Sequence, residues 1–190
     1  MKKLFLLLFL TSNLLCMGQN KDLVKEAKVI KFFGIDYSHA KVYGAAETPE
    51  QFKVAFNKIN ALFIIEAKKY DVGKRIKKEI SEISLDAVNL LNPKINSSEL
   101  MTTNKQYALD EQQIKQAIQS LPIKKEEGIG MIFVAELLNK ADDRATYQTV
   151  FFNLESKEII DVRPVNGKAR GFGLRNFWAY SIYKSLDMLK

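Results

Sequence analysis

Between residues 129 and 165 three apolar segments follow one another with only short polar turns between them. A chain that reverses within a few residues pairs its flanking strands antiparallel, because a parallel neighbour needs a crossover of about a dozen residues or more. Ile129 to Leu138 is strongly apolar, and Asp142-Asp143-Arg144 forms a polar turn. Thr146 to Leu154 is β-branched and aromatic, Glu155-Ser156-Lys157 turns again, and Glu158 to Val165 returns. This pattern predicts a C-terminal antiparallel meander. Asn166-Gly167 reads as a further turn, a pair that tolerates positive φ.

The rest of the chain must cover that meander. Residues 28–36, with Val29, Ile30, Phe32, Phe33 and Ile35, read as a buried first strand, followed by a loop from Asp36 to about Glu47. Thr48-Pro49-Glu50-Gln51 is a helix start. The Thr48 hydroxyl can accept from the Gln51 amide, the Gln51 side chain can reach back, and Pro49 sits where a missing N–H costs nothing. Phe52, Phe56, Ile59, Phe63, Ala67 and Tyr70 then recur at helical spacing. Lys53, Asn57, Lys58, Asn60 and Lys68 are assigned to the opposite, solvent-facing side.

Asp71-Val72-Gly73 interrupts this helix, and a short basic helix is expected from Lys74 to about Glu82. Residues 83–91 fit either a strand or a helix, and Asn92-Pro93 ends the element. Residues 94–109 read as irregular. Asp110 caps a helix that runs to Leu121 and stops at Pro122. Phe172 to Lys190 closes the chain with a stripe of Leu174, Phe177, Trp178, Ile182, Leu186 and Leu189. The expected fold is α/β: a single mixed β-sheet with a C-terminal antiparallel meander and helices packed on its faces. No repeat or linker divides the chain, so residues 19–190 are read as one domain.

Residues 1–18 read as a secretory leader. Lys2 and Lys3 precede the apolar run Leu4 to Leu10, Thr11-Ser12-Asn13 weakens it, and Leu14 to Gly18 lead to a polar segment at Gln19. The run is shorter than the roughly 20 apolar residues a membrane span needs. Cleavage after Gly18 fits the small-residue rule. Two alternatives are a retained anchor and a lipoprotein cut before Cys16, where Leu15 is large for the preceding position. Cys16 is the sole cysteine, so the exported chain is expected to be thiol-free and held by its core alone. The formal net charge is +7, and loss of Lys2 and Lys3 leaves +5. That balance favours anionic envelope components or acidic proteins. No nucleic-acid recognition motif is present, and no nucleic-acid partner is expected.

Two segments carry candidate chemistry. Asp36, Ser38 and His39, His39 being the sole histidine, lie just past the first strand. A strand-end loop is a common place for a catalytic group, but three near-adjacent residues do not make a triad, whose members must converge in space. His39 is read either as a general acid/base or as a solvated loop residue. One histidine and no exported cysteine leave no expected metal site, and no cofactor is expected.

The second segment, Arg163 to Asn176, gathers Arg163, Lys168, Arg170 and Arg175 around Gly171 and Gly173 and runs into the last helix. Glycines expose backbone N–H groups, a helix start adds a positive dipole end, and arginines add planar donors. With Asn176 these residues form a candidate anion site. The dinucleotide fingerprint is not met, because Asn176 stands where its third glycine belongs and no βαβ unit opens here. The alternative is a strand-to-helix turn whose arginines pair with nearby acids.

Phe33-Gly34-Ile35-Asp36-Tyr37-Ser38 together with Gly171-Phe172-Gly173-Leu174-Arg175-Asn176-Phe177-Trp178 resembles a group of exported proteins of Bacteroidetes-type bacteria. Gln19 directly after the leader also fits that group. The resemblance covers most of the exported chain and implies secretion to the periplasm or surface. It brings no activity and no catalytic residues. The strand–helix order is similar, at the level of fold alone, to small α/β periplasmic assembly domains such as the N-terminal domain of TolB. The leading expectation is a binding module whose partner is an envelope protein or an anionic envelope component. The alternative is a hydrolase or transferase that uses the Asp36–His39 and arginine loops together on an anionic envelope substrate.

Overall fold

The structure, a computed structural model, describes residues 22–189. The expected leader, Cys16 and the expected start at Gln19 lie outside the described residues. The elements run β1 (Val29–Asp36), β2 (Lys41–Tyr43), α1 (Pro49–Asn60), α2 (Leu62–Ile65), α3 (Val72–Ile76), β3 (Glu79–Ile83), α4 (Asp86–Leu91), α5 (Ser97–Leu100), β4 (Met101–Thr102), α6 (Glu111–Ser120), β5 (Ile129–Asn139), β6 (Arg144–Asn153), β7 (Ile159–Lys168) and α7 (Leu174–Ser185). The strands form one mixed seven-stranded sheet. The protein is α/β, with the antiparallel meander β5-β6-β7 at its C-terminal side.

β5 is the centre. One edge pairs antiparallel with β6 along its whole length. The other pairs parallel with β1 and then with β2, which follow each other like one strand interrupted at Tyr37–Ala40. β3 lies outside β1 and β4 outside β2. Helices cover both faces. Met131, Phe133 and Ala135 enter a core built with α1 and α7, while Ile132 and Val134 enter a second core with α6. A strand buried on both faces has no polar side to alternate with, which accounts for the unbroken apolar run. Phe32 and Phe33 divide the same way, one into each core.

The Thr48–Gln51 and Asp110–Gln113 capping boxes both form. Other elements differ from the sequence reading. The periodic helix from Pro49 ends at Asn60 and continues only as the short α2 and turns to Tyr70. The basic tract forms five-residue α3, whose C-cap Lys77 has φ 56°, and then β3, so the helix expected to Glu82 is not there. Residues 86–91 resolve as helix, and residues 94–109, expected to be irregular, contain α5 and β4. Asn166-Gly167 is not a turn but the end of β7. A Cβ at Gly167 would collide with the Ser181 carbonyl oxygen, so this glycine exists to let α7 lie directly on the strand.

The largest correction is Asn60, assigned to solvent and found fully buried. β3 pairs only with residues 29–32 of β1, and beyond it the outer edge of β1 meets no strand. Asn60 takes that place. Its Oδ1 accepts from Ile35 N at 2.7 Å and its Nδ2 donates to Ile35 O at 2.9 Å. Buried Asn92 continues the edge, accepting from Tyr37 N at 2.9 Å. Gly34, at φ +78°, makes the bulge possible, since a Cβ there would stand 2.6 Å from Asn60 Oδ1. Asn60→Ala leaves the buried Ile35 amide unpaired, the Ile35 carbonyl keeping Asn92 Nδ2 at 3.3 Å, and is expected to cost about 1–3 kcal/mol in denaturant unfolding. Lys58→Ala on the exposed side of the same helix is expected to change it by less than about 0.5 kcal/mol.

Candidate functional site

The Asp36–His39 segment fills the break between β1 and β2. Asp36 is fully buried. Its Oδ1 accepts from Ser38 N at 2.8 Å and from the Ser38 hydroxyl, closing a tight local turn. Its Oδ2 is buried with no hydrogen-bond partner among the described residues. Burial pushes the Asp36 carboxyl above the ordinary carboxylate range, with the Ser38 donors and nearby His39 pulling the other way. Tyr37 turns into the first core and stacks on Phe56, with ring centroids 3.8 Å apart. His39 is half-buried, and its backbone carbonyl accepts from Tyr107 Oη at 3.3 Å, on the α6 side of the sheet. Asp36 and Ser38 therefore meet directly. The Ser38 hydroxyl donates its hydrogen bond to Asp36 rather than to an imidazole, which is a loop clasp and not a nucleophile–base relay.

The second segment lies elsewhere. α7 packs into the first core through Trp178 and Ile182, on the opposite face from Tyr107 and α6. The loop before it is tied at both ends. Ala169 N donates to Asp143 O at 2.6 Å, Arg170 N to Phe177 O at 3.2 Å, and Phe177 N to Gly173 O at 3.0 Å. Asn176 is the internal clasp, donating to Phe172 O at 3.2 Å and accepting from Arg175 Nε and Nη2 at 3.0 and 2.8 Å. Gly171 at φ +131° and Gly173 at φ +76° supply conformations that side chains resist. No side chain caps α7 at Gly173.

Of the candidate anion-site residues, Arg170, Gly171, Gly173, Arg175 and Asn176 come together in this loop, and Lys168 ends the strand leading into it. They do not form the converging cluster of guanidinium groups that the sequence suggested. Arg175 is folded against Asn176. Arg163 lies in mid-β7, opposite Thr149, paired with Asp161 at 2.7 Å and 5.0 Å from the Phe151 ring centre. Its distance along the strand from Lys168 separates it from the loop.

The sequence reading passed over the residue between the two glycines. Phe172 is 95 % exposed, the most exposed large apolar side chain among the described residues. Beside the loop a groove of about 520 Å³ runs between α1 and the start of α7, lined by Val54, Ala55 and Leu174 together with Glu47, Glu50 and Arg175. The signal for Phe172 was available, since an aromatic held between two glycines and among cations has no helical or strand register to bury it.

Among the described residues no helix is long and apolar enough to cross a membrane, and no group of three or more His, Cys, Asp or Glu is placed to hold a metal ion. Comparison of the chain with family models, curated proteins and solved structures returns no match.

The Asp36 carboxyl supplies a pH test. Its raised folded pKa means that the fold favours the protonated form. Its contribution to stability is full below the unfolded carboxylate range and is lost as pH rises through the folded value. Asp36→Asn keeps an acceptor for Ser38 without the charge. It is expected to melt above wild type at pH 7, with the gap closing in acid; a gap independent of pH would remove the burial argument.

Proposed function

We propose that the protein is an exported, non-enzymatic binding module of the cell envelope that meets its partner through the Arg170–Asn176 loop. The observation that carries this reading is Phe172, 95 % exposed at the tip of a loop closed by its own hydrogen bonds. Covering a phenylalanine side chain contributes about 1.5–3 kcal/mol. A fold that buries eight other phenylalanines almost completely forgoes that gain at one position, on a loop held outward rather than folded back. Lys168, Arg170 and Arg175 give the surroundings a basic character. The competing reading, a hydrolase or transferase, needs the Asp36–His39 loop and the arginine loop in one pocket, and none of Asp36, Ser38 and His39 lines the groove beside the arginine loop, which counts against it.

The envelope location rests on residues 1–18 and on the resemblance to exported proteins. Intact mass of the protein recovered from envelope fractions is expected to correspond to a chain beginning at Gln19. A diacylglycerol-modified Cys16 would instead make it a lipoprotein.

The binding role is tested by capture from envelope extract with tagged wild type and Phe172→Ala. Both are expected to melt at the same temperature, because the side chain touches no core. Wild type is expected to retain a component that Phe172→Ala loses, and identical captures would overturn the reading.

A further inference from the structure

We infer that the occupant of the Phe172 tip is an anionic phospholipid bilayer surface. The inference rests on the binding-module reading and names its partner class. Three features of the tip fit a bilayer better than a protein pocket. First, the apolar contact is a single projecting ring and not a patch. Phe172 is 95 % exposed, and the next apolar residue along the chain, Leu174, is already half-buried beside the groove. A stable protein interface needs a contiguous surface of roughly 800 Å² a side with a fitted apolar centre. A bilayer interface accepts an isolated aromatic ring without any preformed complement.

Second, the loop that carries the ring is basic, with Lys168, Arg170 and Arg175 in or beside it in the chain. Lys168, Arg170 and Arg175 make no ion pair with an acid within 4.0 Å among the described residues. Of the acids of the neighbouring β5–β6 turn, Asp143 is paired with Lys140 at 3.4 Å, while Asp142 accepts from the neutral Asn139 Nδ2 at 2.8 Å and keeps its charge. Glu47 and Glu50 line the groove toward α1. Basic side chains at such a surface reach lipid phosphates while their stems stay beside the acyl boundary.

Third, the tip is built to hold the ring out before any contact. Gly171 and Gly173 adopt positive φ, and Asn176 clasps the Phe172 carbonyl at 3.2 Å. Insertion then requires little ordering of the loop. One ring and a few cations supply a reversible attachment and not an anchor.

The test is co-sedimentation of the purified protein with vesicles of phosphatidylglycerol and phosphatidylethanolamine, against vesicles of phosphatidylcholine alone. Wild type is expected to partition onto the anionic vesicles, to lose that binding as salt shortens the Debye length from about 10 to about 3 Å, and to ignore the zwitterionic ones. Phe172→Ala is expected to weaken partitioning at least tenfold with an unchanged melting temperature, Phe172→Trp to preserve it, and Arg170→Glu to weaken it on anionic vesicles. Equal partitioning of Phe172→Ala and wild type would overturn the inference, as would wild type that stays off anionic vesicles. In that last case, a component still captured through Phe172 from envelope extract would leave the binding-module reading standing with a protein as occupant. A wild-type dimer in sedimentation velocity that Phe172→Ala dissociates, without vesicle binding, would assign the tip to a second copy and equally overturn the bilayer.

Discussion

The fold depends on how the outer edge of β1 is satisfied once β3 ends. A sheet edge inside a protein must pair its N–H and C=O groups or lose the fold. Here a helix does what a strand would do. Asn60, the last residue of α1, takes both backbone groups of Ile35, and Asn92 takes the next amide at Tyr37. Asn92 also reaches Asn57 Oδ1 at 3.3 Å, so the two helical segments and the strand share one network. The arrangement fixes where α1 sits, and α1 then brings Phe52, Phe56 and Ile59 onto the first core. A leucine at position 60 would suit the apolar surroundings and leave the Ile35 amide unpaired.

That constraint explains which parts of the fold were legible in the sequence. β5 and β6 were readable because each is a long apolar segment bounded by turn residues, the start of β7 because the Glu155-Ser156-Lys157 turn precedes it, and the two capping boxes because their chemistry is local. Asn60 was not readable. Helical periodicity sorts residues by hydropathy, and a polar side chain on the boundary of the apolar face is assigned to water. Its partners lie 25 residues away in β1, and nothing in the helix announces them. Gly167 was misread for a related reason. Asn-Gly is a local turn signal, but the demand on Gly167 comes from Ser181 of α7 pressing on the strand.

The candidate site was legible only in part. The glycines and basic residues of the last loop were visible, and the structure gathers Arg170, Gly171, Gly173 and Arg175 there, but Arg163 stays behind on β7 with Asp161. Spacing along the chain does not reveal which residues a strand carries off in another direction. Phe172 reads in sequence as the start of the closing helix, which begins instead at Leu174. Only its surroundings in three dimensions reveal that it has no core to enter.

The scaffold and the tip are connected by packing. α7 is held against the meander at Gly167, where a side chain would not fit, and at Tyr147 Oη, 2.7 Å from Ser181 Oγ. Trp178, fully buried, pins the first turns of the helix into the same core. With β7 ending at Lys168 and α7 starting at Leu174, the five residues between them must reverse direction over a fixed gap. Gly171 and Gly173 make the reversal, and the residue between them is the one the turn throws outward. The direction in which Phe172 points is therefore set by the position of α7, a consequence of core contacts far from the tip. A binding residue placed in this way needs no conformational change to be presented. Its strength as a contact is governed by the one apolar ring and the cations beside it.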